Sequence, residues 1–341
     1  LWRETNTNAP VIPAGFDDLA DYLNRGITTG NIRFEFAGLT APDTRIADGV
    51  TFYNLNSQNR STAATTPYGR ALTIATSLRP VPTAGQTEQV GSIGYSWYKG
   101  LVLELRRRYT RLGGGFGTSF RFAYTLSSLE DDGIVNTSSA QIAGDFRSER
   151  SRSLLDRRHR FALSGLFDTP KWLGGLRFSP ILRFGSSAPF NISNGGQDPD
   201  DRNLDDVNSD RPDFSGSLSD INFRDVNDPV NLDLVRAFTL APIGRGGNLP
   251  RNAGNGPKQF IFDLNVSREF RFSERYRLRP QIEFNNVLNA TVFSFGAEFI
   301  NYTAAVANPT PAQLEELRGG FLVPTRALRP RQIRLGLRFD F

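Results

Sequence analysis

The sequence predicts an all-β fold, an antiparallel transmembrane β-barrel with short turns at one end and long loops at the other. Three observations predict it. Segments of about ten residues alternate apolar and polar side chains, which is the length a tilted strand needs to cross a bilayer. The connections between them are short and long in turn. The last segment, Arg331–Phe341, places Ile333, Leu335, Leu337, Phe339 and Phe341 on one face and Gln332, Arg334, Gly336, Arg338 and Asp340 on the other. A soluble domain seldom leaves a terminal strand so apolar and unprotected. A membrane barrel does, because its outer face meets lipid and its inner face a wet lumen.

The other strands follow in chain order. Ile32–Phe36 is a weak candidate. Ser92–Arg108 sets Ile93, Tyr95, Trp97, Leu101, Leu103 and Leu105 against Ser96, Tyr98, Val102, Glu104, Arg106 and Arg108. Thr118–Ser128 sets Phe120, Phe122, Tyr124 and Leu126 against Arg121, Ala123, Thr125 and Ser127. Arg160–Asp168 and Leu176–Gly185 carry Phe161, Leu163 and Phe167, and Phe178, Leu182 and Phe184. Phe260–Arg271 opposes Phe260, Phe262, Leu264, Val266 and Phe270 to Asp263, Asn265, Ser267, Glu269 and Arg271. Arg277–Leu288 opposes Leu278, Ile282, Phe284 and Leu288 to Arg279, Gln281, Glu283 and Asn285. Strict period-2 patterning of this kind marks strands between an apolar and a polar environment.

Short turns lie at Leu112–Gly117, Thr169–Gly175 and Phe272–Arg275, and long connections at Leu129–Arg158, Ser186–Lys258 and Asn289–Pro330. Outer-membrane barrels have this asymmetry, with tight periplasmic turns and large external loops. Aromatics should then ring the turn end as an interfacial girdle. Tyr109, Phe116, Trp172, Phe270, Phe272, Tyr276, Phe339 and Phe341 are placed to do so. Within the loops, Thr310–Gly319 has an N-cap, a proline at the first helical position and a closing glycine, which predicts a short helix. Asp17–Arg25 is a similar candidate.

Composition narrows the function. The chain of 341 residues has no cysteine, which excludes a disulfide scaffold, a thiolate zinc site and cysteine catalysis. It also lacks methionine and opens on no charged-then-apolar leader, so it reads as a piece of a longer protein. No apolar run reaches the roughly 18 residues of a membrane helix. The formal net charge is +5, and only Lys99, Lys171 and Lys258 among the 40 basic residues are lysine. Arginine in such excess suits pairing with carboxylates in a polar interior. Basic and acidic residues are interleaved and no nucleic-acid module is visible, so no nucleic-acid partner is expected.

Several segments, taken in order, resemble the C-terminal barrel portion of TonB-dependent outer-membrane receptors, in particular the Oar-like branch. They are Gly94–Tyr109, Phe122–Ser127, Asp156–Phe161, Ser186–Phe190, Arg211-Pro-Asp213, Phe262–Phe270 and Glu283–Asn289. The resemblance runs from residue 92 to 341, and residues 1–91 form a poorly matched barrel segment with a long loop. It implies roughly the last eight strands of a larger plugged barrel, in the outer membrane of a Gram-negative-type bacterium. It implies outer-membrane lipid and the barrel-assembly machinery as partners, the latter reading Ile333, Leu335, Leu337, Phe339 and Phe341 as an assembly signal. It further implies uptake of an unknown external substrate, driven by TonB–ExbB–ExbD acting through an N-terminal plug that these residues lack. The rival readings are a non-transporting structural or adhesion barrel and a soluble β-sandwich binding module.

No catalytic or cofactor-binding residue is expected. His159 is the only histidine, so any Ser-His-Asp triad or histidine metal site would need it. It sits among Asp156, Arg157, Arg158 and Arg160, which reads as a charged cluster at the outer lip of a strand. Gly113–Gly117 lacks the spacing of a phosphate loop and reads as a hairpin turn. Arg106–Arg108 and Arg147–Arg160 read as solvated strand ends and lumenal ion pairs. The segment Asp198–Asp210 is dense in oxygen ligands. Asp198, Asp200, Asp201, Asp205, Asp206 and Asp210 are Ca²⁺ candidates, although EF-hand spacing is missing and a solvated acidic loop is the preferred reading. The stretch Phe190–Phe214 is the expected region of substrate contact.

Overall fold

The computed structural model describes residues 3–23, 67–133, 140–194, 201–207, 210–294, 298–299, 310–324, 326–328 and 330–341. Seven long strands organise it. They are β1 (Ser96–Arg111), β2 (Gly117–Asp131), β3 (His159–Asp168), β4 (Leu176–Gly185), β5 (Gln259–Arg268), β6 (Arg277–Asn285) and β7 (Gln332–Asp340). Each pairs antiparallel with its sequence neighbour, so the sheet follows chain order. Two short strands join it, Ser151–Arg152 on β2 and Phe270–Arg271 on β6. The sheet is not closed: among the described residues β1 and β7 do not pair with each other.

All seven strongly alternating segments are strands. The weak candidate Ile32–Phe36 lies outside the described residues. Several boundaries differ from expectation: β1 starts at Ser96 instead of Ser92 and runs on to Arg111, and β2 runs on past Ser128 to Asp131. Phe260–Arg271 is interrupted at Glu269, whose carboxylate accepts from Arg271 and Arg279 at 2.6 Å each. Arg277–Leu288 stops at Asn285, because Asn286 and Asn289 take left-handed backbone angles (φ 54° and 52°) that end the ladder. The Asn286 amide instead donates to Asp263 Oδ1, and its side chain closes a loop onto Ala290.

Register gathers the two chemistries onto opposite faces. Leu105, Phe122, Leu163, Leu182 and Phe262 are successive cross-strand partners, as are Phe167, Phe178, Val266, Ile282 and Leu335. On the other face run Ser179, Asn265, Glu283 and Arg334. A slip of one residue would exchange the faces, so the alternation sets the register.

The hydrophobic core is not in this sheet. Among the described residues, no buried apolar side chain belongs to β1–β7. Leu335 and Leu337 are 81% and 70% exposed. Among the described residues nothing packs over the apolar face as a second sheet would, and with the exposure of that face this overturns the soluble-sandwich reading. The buried clusters lie in the connections instead. One joins Phe190, Ile192, Phe214, Ile221, Phe238 and Leu249 of the 186–258 connection to Leu317, Phe321 and Leu322 of the 286–331 connection. The other joins Leu19, Tyr22 and Leu23 to Ala71, Ile74, Leu204 and Ile243.

The helix Pro311–Gly320 forms as expected, with a capping box between Thr310 and Gln313. The Asp17–Arg25 candidate begins as a helix at Leu19–Asp21, capped by Asp18, and residues 24 and 25 lie outside the described residues. Helices Pro67–Ser77 and Leu232–Ala237 have no counterpart in the sequence reading.

Candidate functional site: the polar face and the loop assembly

The polar face of the sheet is a lattice of arginines and carboxylates. Arg121 pairs with Glu104 at 2.9 Å and Arg183 with Asp263 at 2.7 Å. Arg177 grips Asp168 through two nitrogens, at 2.7 and 2.9 Å. These side chains are neighbours only through register, since β3 and β4 set Asp168 opposite Arg177. Above them two recesses of about 360 Å³ each open between the strand ends and the loops. One is lined by Arg183, Asp263, Asn286 and Arg334, the other by Thr125, Arg157, Arg160 and Gln259. The first is polar enough to hold water or a hydrophilic solute, whereas Ala123, Phe161, Phe184 and Ile261 make most of the second recess's surface apolar.

The long connections all leave the sheet at one end and fold together there. A buried ion-pair network fastens two of them. Arg211, 6% exposed, meets Glu149, 1% exposed, through two parallel contacts of 2.9 Å. The Gln141 amide donates to Glu149 Oε1, and Gln141 Oε1 accepts from the Arg211 amide, at 3.0 Å each. Arg251 adds bonds to the Glu149 carbonyl and the Asp131 carboxylate. Two residues along, Asp213 is held by Arg245. Arg224 performs a similar task lower in the chain, donating to the Phe321 and Leu317 carbonyls at the end of the Pro311–Gly320 helix. A buried charge is tolerated only when it is paired or fully hydrogen-bonded: Arg211 and Arg251 meet carboxylates, and Arg224 is held by main-chain carbonyls.

The acidic segment differs from expectation. Asp198 and Asp200 lie outside the described residues. Asp205 and Asp210 are 4% and 1% exposed, so the solvated-loop reading fails. The cause is packing: Leu204 is inserted in the second cluster and draws its neighbours inside. Asp201 accepts from the Asp205 and Asp206 amides, and Asp210 Oδ2 from the Arg202 and Asn203 amides. Asp206 pairs with Arg79. Asp205 Oδ2 and Asp210 Oδ1 are buried without a hydrogen-bond partner. Burial, reinforced by mutual repulsion, pushes the Asp201 carboxyl up to about 6, Asp205 to about 7 and Asp210 well above the carboxylate range. Among the described residues, no three His, Asp or Glu side chains converge as a ready-made metal cage.

Other sequence candidates find ordinary places. His159 Nδ1 lies 2.8 Å from the Tyr124 hydroxyl, and its amide donates to Ser186 Oγ, so no triad is assembled. Gly113–Gly115 is a single 3₁₀ turn between β1 and β2. Arg150 pairs with Glu130 at 2.7 Å and lies over the Trp97 ring, and Arg152 pairs with Asp156 at 3.0 Å. The described part of Phe190–Phe214 is mostly interior: Phe190, Ile192, Leu204, Arg211 and Phe214 are buried. The expectation of substrate contact there therefore fails for these residues. Glu149 and Arg224 were not singled out by sequence reasoning, because their partners lie 62 and 97 residues away.

A family profile described as an outer membrane beta barrel domain matches residues 46–318. The chain belongs to this family. No curated protein matches it. Its residence is the outer membrane of a Gram-negative bacterium, and the two faces of the sheet gain their meaning from that.

In an outer membrane β-barrel the apolar face meets lipid and the Arg–carboxylate face lines the lumen. The short turns then mark the periplasmic end and the folded loops the external one. At the turn end Phe116 packs near Phe167 and Trp172, and Tyr276, Phe339 and Phe341 stack at 6.0 Å spacings. Trp172, Phe272 and Phe341 are 75%, 70% and 82% exposed, as an interfacial girdle requires. Tyr109 is the exception. A bulge between Arg107 and Thr110 turns it to the lumenal side, where its hydroxyl donates to Asp168 Oδ2 at 2.8 Å. The ring lies across Gly117, where any Cβ would collide with it. The described residues 3–23 and 67–91 join the loop assembly: Asn6 donates to the Asp205 carbonyl and Ala20 to that of Gly244.

Proposed function

We propose that this chain is the C-terminal barrel portion of an Oar-like, TonB-dependent receptor and transporter. External loops capture a substrate, which then passes along the Arg-lined lumen. The work is done by TonB–ExbB–ExbD acting on a plug encoded outside these residues. Substrate passage needs no covalent chemistry, and the reading includes no enzymatic step and no nucleic-acid partner. The barrel-assembly machinery inserts the protein by reading the terminal strand, Ile333, Leu335, Leu337, Phe339 and Phe341. A bilayer does not tolerate an open sheet edge, so the edges of β1 and β7, unpaired among the described residues, call for further strands to close the wall.

The observation that carries this reading is the position of the seven family-like segments. Three run along the strands β1, β2 and β5, and four, Asp156–Phe161, Ser186–Phe190, Arg211–Asp213 and Glu283–Asn289, lie at the loop-side strand ends and in the loop assembly. Asp263 joins Arg183 below to Asn286 above, Ser186 ties to His159, and Arg211 and Asp213 lock the external assembly. Residues spent on an ordered loop assembly over a charged lumen suit capture followed by passage. The same packed loops, with two cores of their own, also suit adhesion without transport.

The test is recovery of TonB–ExbB–ExbD with the full-length protein from detergent-solubilised envelopes, joined to reading the coding sequence upstream of Leu1. Transport requires a plug and a TonB-contacting segment there and co-recovery of the complex. If both are missing, the adhesion reading replaces it.

A further inference from the structure

We propose that the recess at the loop end of β2–β5, beside Arg157 and Arg160, is a lumenal subsite for an oxyanion, a carboxylate or a phosphate, carried on a small apolar body. Register builds it. Thr125, Arg160, Gly185 and Gln259 are successive cross-strand partners. Ala123, Ala162, Arg183 and Ile261 form the next row of the same face. Arg157 reaches the recess from the loop root ahead of β3 and lies against Gly185, where a Cβ would stand 3.1 Å from the Arg157 Cδ. Glycine at the end of β4 therefore makes room for Arg157 next to Arg160, whose partner in the ladder that glycine is. All these residues line one cavity of about 360 Å³.

The charge there is unbalanced. Arg121, Arg177 and, in the recess itself, Arg183 meet carboxylates, those of Glu104, Asp168 and Asp263. Arg157 and Arg160 instead donate to main-chain carbonyls, of Ser186 at 2.6 Å and of Leu155 at 2.7 Å. Among the described residues neither meets a carboxylate, and the adjacent Asp156 is already held by Arg152. A guanidinium has five N–H donors in a planar fork, so both arginines keep donors to spare. Such a fork takes an oxyanion through two parallel bonds. Two cations sharing a recess without a counter-charge, over walls of low dielectric, focus an attractive field on an anion.

The rest of the recess selects what the anion is attached to. Ala123, Ala162 and Ile261 give it a small apolar lining, and Thr125 and Gln259 add neutral hydrogen-bonding groups. Its volume is that of an ordinary small-molecule pocket. An uncharged sugar would leave both guanidinium forks unmatched. An organic acid, or a phosphate monoester, with a short hydrocarbon part suits both the charge and the walls. The site needs only the lumenal placement of this face, while the role of its ligand as cargo rests on the uptake reading.

The experiment uses the full-length protein purified from outer membranes in a neutral detergent, with trifluorobutyrate as the probe and its fluorine NMR line width as the readout. The parent protein broadens the probe, and does not broaden the uncharged amide of the same acid. Butyl phosphate displaces the probe, and the tighter of the two anions names the head group. Arg157→Gln and Arg160→Gln each weaken binding roughly 10- to 100-fold, the loss expected for hydrogen bonds to a charged group. Arg158→Gln, between them in sequence but outside the recess, leaves binding unchanged. Heat-modifiable gel mobility shows that the three variants fold. Equal broadening by the parent and by a double Arg157→Gln, Arg160→Gln variant overturns the proposal. So does equal binding of acid and amide, or no binding at about 10 mM probe. The assay contains no TonB–ExbB–ExbD, so a failure to recover that complex would remove the cargo role and leave the site standing.

Discussion

Leu335→Arg separates a lipid-facing wall from a wetted surface. Leu335 is 81% exposed, sits mid-strand in β7 and faces Ile282 across the pair. On a soluble protein, replacing so exposed a leucine with arginine changes stability by less than about 0.5 kcal/mol. On the lipid face of a barrel the same change near the midplane costs about 2–4 kcal/mol. That is a fall of roughly 30- to 900-fold in the folding equilibrium. The assay is urea-dependent refolding into lipid vesicles, read by heat-modifiable gel mobility. Because β7 also carries the assembly signal, refolding without the assembly machinery isolates the lipid term. Asn265→Arg, on the lumenal face beside Glu283, is the control and should change stability little. A neutral Leu335→Arg, or equal costs for the two variants, would refute the assignment of the faces and with it the inside-out account of this sheet.

Three further outcomes follow from the same geometry. Glu149→Ala strands Arg211 without its partner, which costs about 3–5 kcal/mol for a buried pair; the loops should become protease-sensitive while the strands keep their heat-modifiable mobility. Asp201 and Asp205 have carboxyls raised to about 6 and about 7, so the folded loops hold protons that opened loops release above about pH 4. Loop order is therefore complete on the acid side and is lost as pH rises through that window, by about 1 kcal/mol per pH unit for each carboxylate; hydrogen exchange of the 201–210 amides at pH 5 and pH 7.5 should show the faster opening at the higher pH. Trp172, if it marks the periplasmic interface, should be quenched by lipids brominated near the head group more strongly than by those brominated near the acyl terminus.

The strands were legible because their information is local. Lipid on one side and water on the other impose a period of two on each strand separately, so Phe262 beside Asp263 states the environment without knowledge of any other strand. The loops obey another rule. Their stability comes from pairs such as Glu149 with Arg211, and nothing in the residues near Glu149 marks it as different from a solvated glutamate. The acidic turn misled for the same reason. Its composition indicates a hydrated surface, but Leu204 anchors it in a cluster built from residues near 20 and 70, and burial then decides the state of every carboxylate around it. Tyr109 shows the limit within a strand. Alternation assigns it to lipid, yet one extra residue in the ladder reverses every face beyond it, and only the partner strand reveals that the shift has occurred. Local alternation thus specifies the wall that the membrane solvates, whereas the part that meets the outside world is specified by long-range contacts. Substitutions that alter what the loops bind should therefore leave the strands unchanged, and Glu149→Ala and Leu335→Arg should fail in different assays.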